Sequence, residues 1–234
     1  MLRRSRLTRN GAWLMLPMDH GFSMGAQPGL HDIPRLLDEV SSHATCVTVH
    51  RGLLPAVAPY ADRLGIMLHL SASTDCAPDP TDKRLVATVE EAVRRGCDGV
   101  SLHVNIGSLT EAHQLEDAGK VAGLCDEWGM PLVAMIYPRG PGMDSTDPKL
   151  VAHAVRVGYE IGATAVKVPF TSDFEKVVAA APLPVLVAGG ADGDIIKIAS
   201  SAKAAGAKGV SVGRNVFGHA NPGAIMAELA KVFA

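Results

Sequence analysis

Aromatic residues are scarce: Phe, Tyr and Trp together make up 4% of the 234 residues. A core here has to be built from Val, Ile, Leu, Met and Ala. The 47% hydrophobic content supplies enough of them for one domain of ordinary size, spanning residues 1–234. Excess charge is also missing. The net charge is −2 with no basic stripe, which argues against a nucleic-acid partner. No apolar run approaches the roughly 18 residues of a membrane span, so no membrane partner is expected. Arg3, Arg4, Arg6 and Arg9 precede Trp13-Leu14-Met15-Leu16, as at a secretory leader. That run is too short, Pro17 interrupts it, Asp19 ends it, and no small-residue cleavage pattern follows, so the expected location is the cytoplasm. Cysteines are few, and Cys46, Cys76, Cys97 and Cys125 form no C-x-x-C pair. They are expected to be reduced, buried thiols. Low-complexity tracts are absent, and Gly and Pro are dispersed as punctuation between many short elements.

Eight short apolar runs recur along the chain, at 13–19, 46–50, 66–70, 99–105, 132–137, 165–169, 185–189 and 209–213. Their near-continuous apolarity suits parallel strands covered on both faces. The segments between them read as helices. Residues 33–43 carry Ile33, Leu36, Leu37 and Val40 at helical spacing. Residues 82–96 carry Val86, Val89, Glu90 and Val93 and end in Arg94-Arg95-Gly96. Asp147-Pro148 and Asn221-Pro222 each open a helix with a cap and a first-turn proline. Gly65, Gly96, Gly129, Gly162 and Gly206 stand where a helix should stop. Eight βα repeats predict an α/β fold, with the (β/α)8 TIM barrel as its simplest closure. An open doubly wound sheet is the alternative, weakened because no G-x-G-x-x-G follows the first run.

Lys167 stands apart from the other lysines. Lys83, Lys120, Lys149, Lys176, Lys197, Lys203, Lys208 and Lys231 lie in polar or helical context. Lys167 lies within Ala165-Val166-Lys167-Val168-Pro169-Phe170. An ammonium in such a strand is disfavoured unless it is paired or gives up its proton. Amine catalysis needs the neutral form, and shifting a lysine to neutrality near pH 7 takes roughly 4 to 5 kcal/mol of differential destabilisation. The free amine can then attack a carbonyl and form an iminium, an electron sink for C–C bond formation or cleavage. A structural lysine paired with a carboxylate inside the barrel fits the same position.

Barrel chemistry sits at the C-terminal ends of strands. Asp19, in Met18-Asp19-His20-Gly21, and Tyr137, in Ile136-Tyr137-Pro138-Arg139-Gly140, end two of the runs and should face Lys167. A carboxylate and a phenol suit the two proton transfers an iminium aldolase needs. A helix-capping aspartate and a backbone-bonded tyrosine are the plainer readings. The seventh run leads into Ala188-Gly189-Gly190 and the eighth into Gly213-Arg214-Asn215, where this fold recurrently holds phosphate. The same glycines could serve only as tight turns. His20, His50, His69 and His103 fall near the ends of the first four runs. With Asp19 they could hold a divalent metal, although no H-x-H or H-E-x-x-H spacing supports it. The expected reading is no metal and no cofactor, with one or two of these histidines binding polar substrate groups.

Several further stretches are specific: Leu70-Ser71-Ala72-Ser73-Thr74, Pro78-Asp79-Pro80-Thr81-Asp82-Lys83, Val100-Ser101-Leu102-His103-Val104-Asn105-Ile106-Gly107-Ser108 and Val212-Gly213-Arg214-Asn215. With Met18-Asp19-His20-Gly21, Met135-Ile136-Tyr137-Pro138-Arg139-Gly140 and Val166-Lys167, they make the sequence resemble the archaeal-type class I aldolases, which include archaeal fructose-bisphosphate aldolase. Within that family the resemblance is strongest to the synthases of 2-amino-3,7-dideoxy-D-threo-hept-6-ulosonate and to their actinobacterial relatives in 3-amino-4-hydroxybenzoate biosynthesis. It runs from about Leu16 to the C-terminus.

The resemblance implies that Lys167 is the Schiff-base lysine and that Tyr137 and Asp19 transfer protons. It implies that Gly189, Gly190, Gly213 and Arg214 hold a substrate phosphate, with His20, His103, Asn105 and Arg139 as further substrate contacts. The implied partners are small molecules: L-aspartate 4-semialdehyde and a phosphorylated ketone, either dihydroxyacetone phosphate or a deoxyketohexose phosphate. A homo-oligomer, in some members a decamer, is implied as well. A fructose-bisphosphate aldolase is the alternative within the class, and a metal-dependent lyase or hydrolase, or a non-catalytic sugar-phosphate-binding barrel, the alternatives outside it. After Lys167 the chain departs from the synthases' Tyr-Thr-Gly-Asp and reads Val168-Pro169-Phe170-Thr171-Ser172-Asp173, which bears on the substrate rather than on the amine chemistry.

Overall fold

Each of the eight apolar runs is a strand in the computed structural model, which describes residues 2–190 and 193–234. The strands are β1 (Trp13–Pro17), β2 (Cys46–Val49), β3 (Gly65–His69), β4 (Gly99–Ile106), β5 (Leu132–Pro138), β6 (Ala165–Val168), β7 (Val185–Ala188) and β8 (Gly209–Ser211). Every strand pairs in parallel with the next in sequence, and β8 returns to pair with β1. The sheet therefore closes into a TIM barrel, with helices between the strands.

Side-chain alternation along each strand divides the apolar residues between two cores. Leu14, Val47, Leu68, Val100, Ile136, Val166, Val187 and Val210 pack outward with the helices. Trp13, Met15, Cys46, Met67, Val133, Ala165 and Leu186 pack inside. The helix Leu2–Leu7 closes the N-terminal end of the barrel. Leu7 joins the inner cluster, and its carbonyl accepts from Thr45 Oγ1 at 2.8 Å. Trp13 fills the floor of a core otherwise made of aliphatic and sulfur-bearing side chains. Towards the C-terminal ends the inner face turns polar. Ser211 pairs in register with Met15, Thr48 with Met67, Ser101 with His69, and Lys167 with Met135.

The outer helices begin where capping residues stand. Asp32 accepts from Arg35 N at the helix Ile33–Val40, which stops three residues short of the expected 33–43. Asp147 and Asn221 cap Pro148–Glu160 and Pro222–Phe233 as expected. Gly96, Gly129, Gly162 and Gly206 all have positive φ, the backbone that ends a helix. Among the described residues no helix is long and apolar enough to cross a membrane.

Three expectations need correction. The expected helix 82–96 is only Val89–Arg94, capped by the Thr88 side chain accepting from Glu91 N. The residues before it pair instead with the chain leaving β3, Ser71–Ala72 running antiparallel to Arg84–Leu85. Gly65 is no helix stop but the first residue of β3. Cys76 is exposed in the loop after β3, while Cys46, Cys97 and Cys125 are buried.

Gly65 is where the barrel touches the N-terminal helix. A Cβ there would lie 2.5 Å from Arg6 O and 2.8 Å from Leu7 Cδ2. Gly65→Ala should therefore destabilise the protein by about 1–3 kcal/mol through overpacking. A thermal melt indistinguishable from wild type would contradict this close seating of helix on barrel.

Candidate active site

The polar C-terminal end of the barrel opens into a cavity of about 350 Å³. Lys167 lies at its inner wall, because alternation on β6 turns Ala165 and Lys167 inward and Val166 and Val168 outward. The lysine is buried at 8% exposure. Its Nζ lies 4.0 Å from Met135 Sδ, and among the described residues no carboxylate forms an ion pair with it. The structural reading of this lysine, an internal ion pair, is thus not what the barrel holds.

Asp19 follows β1 and faces the same cavity. Behind it lies a histidine layer. His69 Nε2 is 3.7 Å from Asp19 Oδ2, and His69 Nδ1 is 2.8 Å from Ser101 Oγ, its register partner across β3 and β4. His50 stacks edge-on against His69 with ring centroids 5.2 Å apart. His20 Nδ1 is 3.6 Å from Asp19 Oδ1. Burial drives the His69 pKa down to about 4, against the pull of Asp19. Burial also pushes the Asp19 carboxyl up, but His69, His20, Lys167 and His50 together outweigh it and hold the pKa at about 2. At neutral pH the pair is therefore a carboxylate beside a neutral imidazole. Asp19 Oδ1 is buried with no hydrogen-bond partner, a costly state that a donor entering the cavity would relieve.

Tyr137, two residues beyond Met135 on β5, stands over Lys167 on the same face. Its ring lies 4.9 Å from the His103 ring and 4.6 Å from the Arg139 guanidinium. Burial, with Arg139 and Lys83 nearby, holds the His103 pKa well below its ordinary value. Asn105 does not reach the cavity, contrary to its expected role as a substrate contact. It is fully buried, accepts from His103 Nε2 at 2.8 Å and donates Nδ2 to Thr81 O at 2.8 Å. It orients the histidine and anchors the loop that follows β3.

The glycine loops after β7 and β8 meet at the opposite wall. Gly190 N donates to Asn215 Oδ1 at 3.1 Å, and Gly190 has φ +97°. A Cβ at Gly189 would lie 2.8 Å from Asn215 Oδ1, and one at Gly190 2.8 Å from Arg214 Nη2. At Gly213 a Cβ would lie 2.5 Å from His20 Cε1. Side chains are thus excluded where the glycine backbone and the Arg214 side chain line the cavity, and the guanidinium suits an anion.

Of the residues expected at the site, Lys167, Tyr137, Asp19, Gly189, Gly190, Gly213, Arg214, His20, His103 and Arg139 all line one cavity. His50 and His69 do not line it; they stand behind Asp19. Among the described residues no three His, Cys, Asp or Glu side chains are arranged to hold a metal ion. Sequence reasoning missed Lys83 and Asp75, both cavity-lining. Lys83 lies in a specific motif but was placed in a helix, and the antiparallel pairing that lifts it to the rim is tertiary. Phe170 and Pro169, from the divergent stretch after Lys167, form part of the wall.

This arrangement can do carbonyl chemistry: a primary amine at the floor, a carboxylate and a phenol within the same cavity, and an anion cradle to one side. A family model for DeoC/LacD family aldolases matches residues 13–219. The chain is 47% identical over 224 residues to 2-amino-3,7-dideoxy-D-threo-hept-6-ulosonate synthase 1 of Archaeoglobus fulgidus, covering 94% of this chain and 85% of the relative. It is 44% identical over 225 residues to 2-amino-4,5-dihydroxy-6-oxo-7-(phosphonooxy)heptanoate synthase of Streptomyces griseus, covering 92% and 82%. A solved archaeal fructose-1,6-bisphosphate aldolase, its catalytic Lys covalently bound to the carbinolamine intermediate of the substrate, superposes with a TM-score of 0.89. That pair is 28% identical and covers 99% of this chain and 98% of the other.

Proposed function

The chain belongs to the DeoC/LacD aldolase family of C–C bond-forming enzymes, and from that premise we propose that it condenses L-aspartate 4-semialdehyde with dihydroxyacetone phosphate through a Schiff base on Lys167. The observation that carries this reading is Lys167 itself, buried without a carboxylate partner at the floor of a cavity shared with Asp19 and Tyr137. The neutral amine attacks the ketone carbonyl to give a carbinolamine. Tyr137 passes the proton that lets water leave, and the iminium forms. The Tyr137 phenolate left by that step takes a proton from the carbon bearing the hydroxyl, which gives an enamine. That carbon attacks the aldehyde carbon, and the new C–C bond leaves an alkoxide. The alkoxide takes its proton from the water that next adds to the iminium, relayed through Asp19 Oδ1, the buried oxygen without a hydrogen-bond partner. Water then releases the product and restores the amine. The Gly189, Gly190 and Gly213 backbone with Arg214 holds the ketone's phosphate, and His20, His103 and Arg139 meet polar groups of the two substrates.

The product of this condensation has the atoms in the Streptomyces griseus relative's name: a seven-carbon chain with a 2-amino group and a 7-phosphonooxy group. A second reading, cleavage of fructose 1,6-bisphosphate, is favoured by a second pair of cations in the cavity, Lys83 and Arg139, on which another phosphate could rest.

Borohydride reduction in the presence of dihydroxyacetone phosphate, followed by peptide mass spectrometry, tests the reading. The expected result is one reduced ketone adduct on the peptide bearing Lys167. An unmodified Lys167, or an adduct on Lys83, would overturn it. Product analysis then separates the two substrate readings: a seven-carbon amino phosphate against triose phosphate released from fructose 1,6-bisphosphate.

A further inference from the structure

The cavity has two cationic walls, and they differ. Arg214 lies with the glycine loops after β7 and β8. Lys83 and Arg139 come from the loops after β3 and β5. The strand order places β6, with Lys167, between β7 and β5. A substrate with an anion at each end would thus lie across the lysine. The second wall also carries an acid, since Asp75 lines the same cavity and acts electrostatically on Lys83. The other carboxylate among the described cavity-lining residues, Asp19, stands 3.6 Å from His20 Nδ1 and 3.7 Å from His69 Nε2.

Resting on the Schiff-base reading above, we propose that Lys83, Arg139 and Asp75 form an α-amino-acid subsite: the two cations take the aldehyde's carboxylate and Asp75 takes its ammonium. A dianionic phosphate at this wall would meet both cations but also the Asp75 carboxylate. A zwitterion satisfies all three charges. The reach fits a short acceptor, because the Arg139 guanidinium lies 4.6 Å from the Tyr137 ring centroid, next to the reacting centre. In an aldehyde with one methylene before its α-carbon, both charged groups sit only a few bonds from the carbon attacked. The subsite is also built rather than incidental. Lys83 is half-buried and donates from Nζ to Ser73 Oγ, whose own hydroxyl is bonded to Pro80 O at 2.6 Å. Thr81 O, two residues before Lys83, accepts from both Asn105 Nδ2 and Gln114 Nε2 at 2.8 Å. Asp75 N donates to Ser23 O at 2.9 Å and ties the loop across to the segment after β1. Burial and the neighbouring Arg139 lower the Lys83 pKa, which fits a site meant to receive an anion.

The test compares three aldehydes against saturating dihydroxyacetone phosphate: L-aspartate 4-semialdehyde, succinate semialdehyde, which lacks the ammonium, and D-glyceraldehyde 3-phosphate. Wild type should prefer the amino aldehyde. Asp75→Asn should cut kcat/KM for aspartate semialdehyde roughly ten- to a hundredfold more than for succinate semialdehyde. Lys83→Met should cut it for both carboxylate-bearing aldehydes, and Asp75→Glu should restore the discrimination. Equal losses with both semialdehydes in Asp75→Asn, or a wild-type preference for glyceraldehyde 3-phosphate, would overturn the subsite. Borohydride trapping of wild type with the ketone alone involves no aldehyde. An adduct there together with failed discrimination sinks only the subsite, and no adduct sinks the parent reading and the subsite with it.

Discussion

Lys167→Met should abolish carbon–carbon bond formation, with kcat/KM falling by about 10⁴-fold or more, and should leave no borohydride adduct. The magnitude follows from the kind of step lost. A general acid or base can be replaced in part by water, but an iminium cannot form without a primary amine at the carbonyl. The substitution is also unusually clean structurally. Lys167 packs in the barrel interior against Met135, and no ion pair of the described residues is broken by removing its charge. Methionine is close in length and flexible, so it can occupy the same inward position on β6. The variant should therefore melt near the wild-type temperature. A variant that melts normally and is inactive separates chemistry from folding. Wild-type turnover in Lys167→Met would eliminate the Schiff-base mechanism outright.

How far the sequence foretold this site depended on which physical rule applied. The eight strands were readable because parallel strands covered on both faces must be apolar along their whole length. Each run predicted a strand whose observed ends differ by at most a few residues, as 165–169 does from Ala165–Val168. Once the barrel was assumed, the rule that chemistry sits at C-terminal strand ends brought Lys167, Tyr137 and Asp19 together. What failed was information held in tertiary contacts. Val86, Val89, Glu90 and Val93 have helical spacing, yet Arg84–Leu85 form a bridge with Ser71–Ala72, and the helix waits for Thr88. That pairing puts Lys83 at the cavity, where no local pattern would place it. Gly65 looks like any other helix-ending glycine, but the reason for it lies in Arg6 and Leu7, nearly sixty residues earlier. Asn105 lies on the inward face of β4, yet its bonds to the Thr81 carbonyl and the His103 ring keep it buried and off the cavity lining.

Asp19→Asn should lower kcat/KM by roughly 10² to 10⁴-fold, the usual worth of a general acid or base in such a step. The sharper result concerns the residue behind it. His69 is the largest of the influences that lower the Asp19 pKa, and it stands 3.7 Å from Oδ2 with its other nitrogen held by Ser101. The groups around the imidazole are Asp19, His50, Lys167 and Lys83. Asp19 titrates at about 2, below the ordinary 3.8, because His69, His20, Lys167 and His50 together outweigh burial. It is therefore ionised throughout the working range, and its charge is lost only as pH falls through that low value. His69→Phe removes the strongest lowering influence and leaves the burial that raises the pKa. The Asp19 pKa should climb, and an acid limb should appear in kcat/KM where wild type has none from this group. Activity at about pH 4 relative to about pH 7 should then fall further in the variant than in wild type. His69→Gln keeps an N–H that can face Oδ2, so it should return the limb towards acid. A purely structural His69 would lower activity equally at every pH, so parallel profiles for wild type and His69→Phe would refute the pairing.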